Sequence, residues 1–185
     1  MKSDEKETNI QKDLNSRELS FTYWGTMNYL VGLIKSSELK AGLILSFYGI
    51  IFNFVYQHID DAKDSFSTFG IVHVLAVLWL ASTLISMFYS VRSFIPRIEK
   101  KYEPNVFFFG DVISKFGTIE EYAKTFLETN INKKELYNQL GQQIYINSKI
   151  TAAKFKNVNK SLKYLAISLI LLLVFVINHI LEVIF

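Results

Sequence analysis

The sequence predicts an all-α membrane protein with three transmembrane helices and a cytosolic helical bundle, whose last helix is continuous from the cytosol through the membrane. Three long apolar segments cover residues 41–58, 69–89 and 164–185, and most charged residues lie before and between them. The chain of 185 residues has only 2 Pro and 8 Gly. Because these two residues interrupt helices, their scarcity favours long helices.

The composition excludes several functional classes. The chain contains no cysteine, which rules out disulfides and thiolate metal sites. A glycine-rich phosphate loop, a pair of His one helical turn apart and a nucleophile elbow are all missing from the sequence. A formal charge of +3 is too small to indicate nucleic acid. We therefore expect no enzyme, no cofactor, no bound metal and no nucleic-acid partner.

The lengths of the apolar segments fit a bilayer. Crossing a hydrocarbon core of about 30 Å takes about 20 helical residues. Segments 69–89 and 164–185 reach this length, whereas 41–58 is slightly short and carries Asn53. A buried soluble helix is the alternative for 41–58, but its neighbouring span favours a membrane hairpin over residues 41–91.

The distribution of Lys and Arg predicts the orientation. Thirteen of the 20 lie in residues 92–163 and six precede the first span, whereas the hairpin between the first two spans has only Lys63. Because cytoplasmic loops are enriched in these residues, we expect a cytoplasmic N-terminus and a periplasmic or extracellular C-terminus.

Two segments precede the first span. Residues 1–15 are polar and mixed in charge, and we expect them to be disordered. Apolar residues at helical spacing in 16–40 predict a cytosolic or interfacial amphipathic helix. Tyr23 and Trp24 on this helix are expected to pack, and stacking on a base is the alternative.

Residues 92–163 form the predicted cytosolic sensor region. Phe107, Phe108 and Phe109 cannot all face one side, so we expect their loop to wedge into a helical bundle. Thr118 to Glu121 and Asn132 to Glu135 have the pattern of capping boxes. No proline follows Lys133, so one helix of about 80 Å is expected to reach the C-terminus. Its apolar line is predicted to be core and consists of Leu136, Leu140 and Ile144.

A polar stripe follows the same helix, and two interpretations are open for it. It is either a solvated face or a set of amides that read a nucleobase edge, with Lys154 next to a phosphate. Its members are Gln139, Gln143, Asn147, Thr151 and Lys154.

Four pieces of the chain resemble the transmembrane effectors of Pycsar, a bacterial antiphage system built on a pyrimidine cyclase. They are residues 37–41, Pro96-Arg97, residues 105–111 and residues 143–155. The acidic residue that the family has before Lys40 lies two positions earlier here, as Glu38. The resemblance implies that a cyclase makes cyclic CMP or cyclic UMP on infection. The effector would then bind this nucleotide and disrupt the inner membrane, which stops growth.

Cyclic nucleotide chemistry suggests candidate ligands. The phosphate needs a cation, which Arg97 could supply with help from Lys154, and Asp111 could accept a hydrogen bond from the ribose hydroxyl. Asn105, Gln143 and Asn147 could read the base, and Tyr102 or Tyr145 could stack on it. The alternative is that Arg97 and Asp111 form a salt bridge that braces the Phe loop.

A small protomer encloses little, so we expect a homo-oligomer in the lipid bilayer. Polar or small residues in the first two spans are candidates for a packed seam, with His73 as a packing residue. They are Ser46, Gly49 and Asn53 in the first span, and His73, Ser82 and Ser86 in the second. A scaffold that docks a protein partner and a ligand-independent pore-forming toxin are the competing functions.

Overall fold

The computed structural model describes residues 2–58, 70–95 and 103–184, with side chains for 17–58, 70–95, 103–178 and 180–181. These residues contain helices and no strand. The five helices are α1 (Lys2–Gln57), α2 (Ile71–Phe94), α3 (Phe109–Ser114), α4 (Ile119–Ile131) and α5 (Lys133–Ile184). The predicted outer hairpin, the end of the second span's extension, Arg97 and Tyr102 lie outside the described residues.

Three helical stretches are long and apolar enough to cross a membrane: Arg17–Gln57, Ile71–Phe94 and Lys133–Asn178. They contain the three predicted spans within the described residues, which confirms the fold class. The predicted continuity of the last helix is also confirmed, because α5 is one helix of 52 residues.

The N-terminal residues are expected to be disordered and to precede a separate amphipathic helix, and the structure differs from this. Residues 2–15 are helical and belong to the same helix as residues 16–40 and the first span. No proline occurs in this stretch, and each glycine costs only about 1 kcal/mol relative to alanine, so the chain has no strong signal to end the helix. The separate roles assigned to 1–15 and 16–40 remain predictions.

The chain forms two compact units. The first unit comprises residues 1–34 and 97–151, and the second comprises 35–96 and 152–185. Helices α1 and α5 each contribute to both units, whereas α2 belongs to the second. Helices α3 and α4 belong to the first.

In the second unit the core lies on the α1 face that carries Ile44, Tyr48 and Ile51. The Tyr48 hydroxyl lies 3.1 Å from the Ser168 Oγ of α5. The α2 part of the predicted seam holds for Ser82 and Ser86, which are buried. Within one protomer the other face of α1 packs inward and the predicted α1 residues are exposed, so their part of the seam stays a prediction. These are Ser46, Gly49 and Asn53.

Local capping begins α4 and α5 in the first unit. Thr118 Oγ1 accepts the Glu121 N–H, and the Glu121 carboxylate accepts the Thr118 N–H at 2.8 Å, which confirms the capping box. Gly117 has φ +71°, and a Cβ there would collide with the Glu121 carboxylate. At the start of α5, Asn132 Oδ1 accepts the Glu135 N–H at 3.3 Å. The Asn132 side chain therefore caps the first turn of α5, as the predicted capping box requires of it.

Of the predicted apolar line on α5, Leu140 is fully buried. Leu136 and Ile144 are half-buried. The core role is thus confirmed for the middle residue, while its two neighbours lie at the margin of the packed face.

Candidate functional site in the first unit

A buried asparagine organises the turn that precedes α3. Asn105 is 1% exposed. Its Oδ1 accepts the Phe107 N–H at 2.9 Å, and its Nδ2 donates to the Gln139 carbonyl at 2.8 Å. The first bond is a local turn, since an Asn side chain readily bonds the backbone two residues on. The second fastens the turn to α5.

Gln139 makes the reciprocal contact from α5. Its Oε1 accepts the Val106 N–H at 2.9 Å, and its Nε2 donates to Glu135 Oε1 at 2.9 Å. The Tyr122 hydroxyl donates to the Val106 carbonyl at 3.2 Å. Both ends of the Gln139 amide are thus satisfied, and the turn is held from α4 and α5.

Asp111 has two partners in the same region. Its Oδ2 accepts the Asn105 N–H at 3.0 Å, and its Oδ1 pairs with Lys115 Nζ at 2.9 Å. The structure therefore brings together the predicted ligands Asn105 and Asp111, but as members of the turn's own hydrogen-bond network. Sequence reasoning missed Lys115, although its position four residues after Asp111 on one helix is a recognisable signal.

The aromatic residues of the first unit pack against one another. The Phe107 ring meets Trp24 edge-on at 6.1 Å and Phe126 at 5.8 Å. Tyr23 stacks on Tyr137 at 5.6 Å. Phe107 thus inserts between helices as expected, and Tyr23 and Trp24 have the packing role rather than an open stacking face.

The polar stripe of α5 is buried, so its interpretation as a solvated face is wrong. The physical reason is that the turn at Asn105 and other helices cover this side of α5 within each unit. Gln143 is 7% exposed, and Asn147 is also buried. Gln143 Oε1 is a buried acceptor for which the described part of the chain offers no hydrogen-bond partner. Such an acceptor costs free energy unless something pairs with it.

Tyr145 lies on another side of α5. It is 54% exposed, and Lys149 Nζ lies 5.1 Å from its ring centre. Two residues along a helix correspond to about 200° of rotation, so Tyr145 and Gln143 point in nearly opposite directions. Tyr145 instead borders an open groove along α5, lined by Tyr137, Asn138, Gly141, Gln142 and Tyr145.

Lys154 belongs to the second unit and is 5% exposed. Its Nζ pairs with Glu38 Oε1 at 2.8 Å and donates to the Ser93 carbonyl at 2.6 Å. A cation at the last turn of a helix satisfies a carbonyl that lacks an intrahelical partner. Lys154 therefore joins α1, α2 and α5, and it does not share a unit with Asn105, Asp111, Gln143 and Asn147.

The model of the Pycsar effector protein domain matches residues 22–179. The chain belongs to the Pycsar effector family. It is therefore a transmembrane effector of an antiphage system, and the family is one of effectors rather than of catalysts.

One curated relative is the Pycsar effector protein PtPycTM of Propioniciclava tarda, which is 26% identical over 144 residues. This alignment covers 75% of the present chain and 69% of the relative. No solved structure matches the chain.

Proposed function

We propose that this effector binds a cyclic pyrimidine mononucleotide, cyclic CMP or cyclic UMP, in its first unit and then disrupts the bacterial inner membrane through its second unit. Family membership supports the effector role. The observation that carries the ligand proposal is the buried Gln143 Oε1, which lacks a partner among the described residues.

An amide suits the edge of a pyrimidine. Gln143 Oε1 would accept the 4-amino group of cytosine or the N3–H of uracil, and its Nε2 would donate to a neighbouring ring acceptor. Asn147 follows one turn later on the same buried face and offers a second amide. Arg97 would bind the phosphate and Tyr102 would stack on the base.

The other predicted ligands have lesser parts in this proposal. Asn105 and Asp111 hold the turn, so they would shape the site unless the ribose hydroxyl replaces the Lys115 contact at Asp111. Lys154 and Tyr145 would not touch the nucleotide, given their partners and faces.

Helix α5 offers the mechanical link. It contributes residues 133–151 to the first unit and 152–184 to the second without interruption. A ligand that binds one packing of α5 about 100-fold better than another supplies roughly 2.7 kcal/mol per site. A nearly complete switch needs about 5.5 kcal/mol, so a homo-oligomer with a few coupled sites suffices. The proposed orientation has the first unit in the cytoplasm, where a partner cyclase would release its product.

Calorimetry on the full chain in detergent tests whether the nucleotide binds and how tightly. We expect cyclic CMP or cyclic UMP to bind the wild type, and Gln143→Leu to weaken binding at least about 10-fold, which corresponds to about 1.4 kcal/mol. Gln142→Leu is the matched control, since it removes an amide from the adjacent position outside the buried stripe, and its affinity should stay within about twofold.

Arg97→Ala should abolish nucleotide binding and toxicity in cells while the protein still inserts into the membrane. If neither nucleotide gives a binding signal with the folded wild type, the ligand proposal is refuted. Membrane damage without nucleotide would favour the ligand-independent toxin instead.

A further inference from the structure

One face of α2 carries a column of hydroxyl groups. At 100° per residue its members fall within about 100° of the helix circumference. Five of them are buried hydroxyl residues and the sixth is a tryptophan that packs on the core: Ser82, Thr83, Ser86, Ser90, Ser93 and Trp79. Thr83, Ser86, Ser90 and Ser93 are 0% exposed. We call this face the hydroxyl column.

The middle of the hydroxyl column is closed by hydrogen bonds to α5. Ser86 Oγ donates to the Ser161 carbonyl at 2.8 Å, and Ser161 Oγ donates to the Ser86 carbonyl at 2.9 Å. Ser90 Oγ lies 2.6 Å from Ser161 Oγ. Three serines therefore pair two helices in a region of the chain that is long and apolar enough to span a bilayer.

Polar groups on both sides of this closed part are unpaired. Thr83 Oγ1 and Trp79 Nε1 lie on the N-terminal side of it along α2, and Ser93 Oγ lies on the C-terminal side. Within the described residues, all three atoms are buried and lack a hydrogen-bond partner. Small hydroxyls can simply let helices approach closely, but unpaired donors inside a membrane-spanning bundle point to a ligand that hydrogen-bonds, and water is the simplest.

Separation of α2 from α5 would break the hydrogen bonds that Ser161 makes with Ser86 and Ser90 and expose these hydroxyls. Lipid tails offer these groups no hydrogen bond, whereas water does. Movement of α5 away from α2 would therefore favour water entry along this face. Water continuous with both membrane surfaces would then carry small ions.

We propose that the hydroxyl column is the permeation path of the activated effector, and that the membrane lesion is a water-lined route for small ions. This inference rests on the proposed function and specifies the kind of damage. It predicts a size limit, so potassium or chloride should cross vesicles while an enclosed fluorescent dye stays inside.

The absence of cysteine from the chain allows a direct test. Ser86→Cys and Ser90→Cys place near-isosteric thiols in the column, and Thr83→Cys adds a third position if either variant fails to insert. Ala81→Cys is the control, since Ala81 is exposed on the opposite side of α2. Each full-length variant is placed in vesicles and treated with a charged, membrane-impermeant methanethiosulfonate reagent.

We expect the column thiols to react at least about tenfold faster when cyclic CMP or cyclic UMP is present, while Ala81→Cys stays unreactive in lipid. Calorimetry on the same preparations reports nucleotide binding independently. Binding accompanied by dye release and unreactive column thiols would overturn the permeation path and leave the proposed function standing. Absence of binding would overturn the proposed function and this inference with it.

Discussion

The two units use the same buried stripe of α5 in different ways. In the first unit the stripe carries three amides, Gln139, Gln143 and Asn147, followed by Thr151, and a non-helical turn packs against it. In the second unit the same face carries Lys154 and Asn157 and then short hydroxyls such as Ser161, which pairs directly with α2. Long amides keep neighbouring backbone apart and present a donor and an acceptor, which suits recognition. Short hydroxyls bring two helices together, which suits a closed membrane seam.

Lys154 lies on α5 between the amide residues and Ser161. Removing its ammonium group should have the largest effect on the free energy of unfolding. Lys154→Met leaves Glu38 and the Ser93 carbonyl without the ammonium. Because the Glu38 side chain is 37% exposed, we take the lower end for a broken buried pair, about 3 kcal/mol. Thermal unfolding in detergent measures it, with exposed Lys156→Met as control. Equal melting temperatures for the two variants would contradict the structural role of Lys154.

The turn of the first unit should come next. Asn105→Ala removes two hydrogen bonds, to the Phe107 N–H and to the Gln139 carbonyl, and at about 1 kcal/mol each the loss should be about 2 kcal/mol. Asn138→Ala, on the exposed side of α5, should change unfolding by less than about 0.5 kcal/mol. If the two variants unfold alike, the turn is not clamped to α5.

Two glutamines one helical turn apart should respond with opposite signs. Gln139→Leu removes the hydrogen bonds of the amide to the Val106 N–H and to Glu135, and it should destabilise the protein by about 1 to 2 kcal/mol. Gln143→Leu removes an unpaired acceptor, so the ligand-free protein should keep or gain stability. Unfolding without nucleotide measures both, and a comparable loss for Gln143→Leu would mean that its amide is already paired.

The seam of the second unit should show the smallest loss among the contacts that are paired in the structure. Ser161→Ala removes the hydroxyl shared with Ser86 and Ser90, and hydrogen bonds between membrane helices contribute about 0.6 kcal/mol on average. We expect a loss of about 1 kcal/mol because two partners are affected. Ser46→Ala is the control, since it removes a hydroxyl from the exposed face of α1 in the same unit. A loss as large as that of Lys154→Met would contradict the ranking.

Local features were predictable from the sequence. The Thr118 capping box and the unbroken α5 depend on neighbouring residues, and the three spans depend on apolar length. The covering of the polar stripe was not predictable, because the contact between Asn105 and Gln139 joins residues far apart in the chain. In the first span both faces are apolar, so nothing local showed that Tyr48 faces inward and Ser46 outward. Of the predicted ligands, Lys154 contacts Glu38 and the Ser93 carbonyl in the second unit, and the ligand roles of all of them stay predictions.

Leakage from sealed vesicles that contain the purified full chain tests the central claim, namely that a nucleotide bound in the first unit opens the second. Potassium efflux is recorded with and without cyclic CMP or cyclic UMP, for the wild type and for Gln143→Leu and Gln142→Leu. The account predicts efflux that requires nucleotide, is lost in Gln143→Leu and persists in Gln142→Leu. Efflux that is equal with and without nucleotide would contradict it.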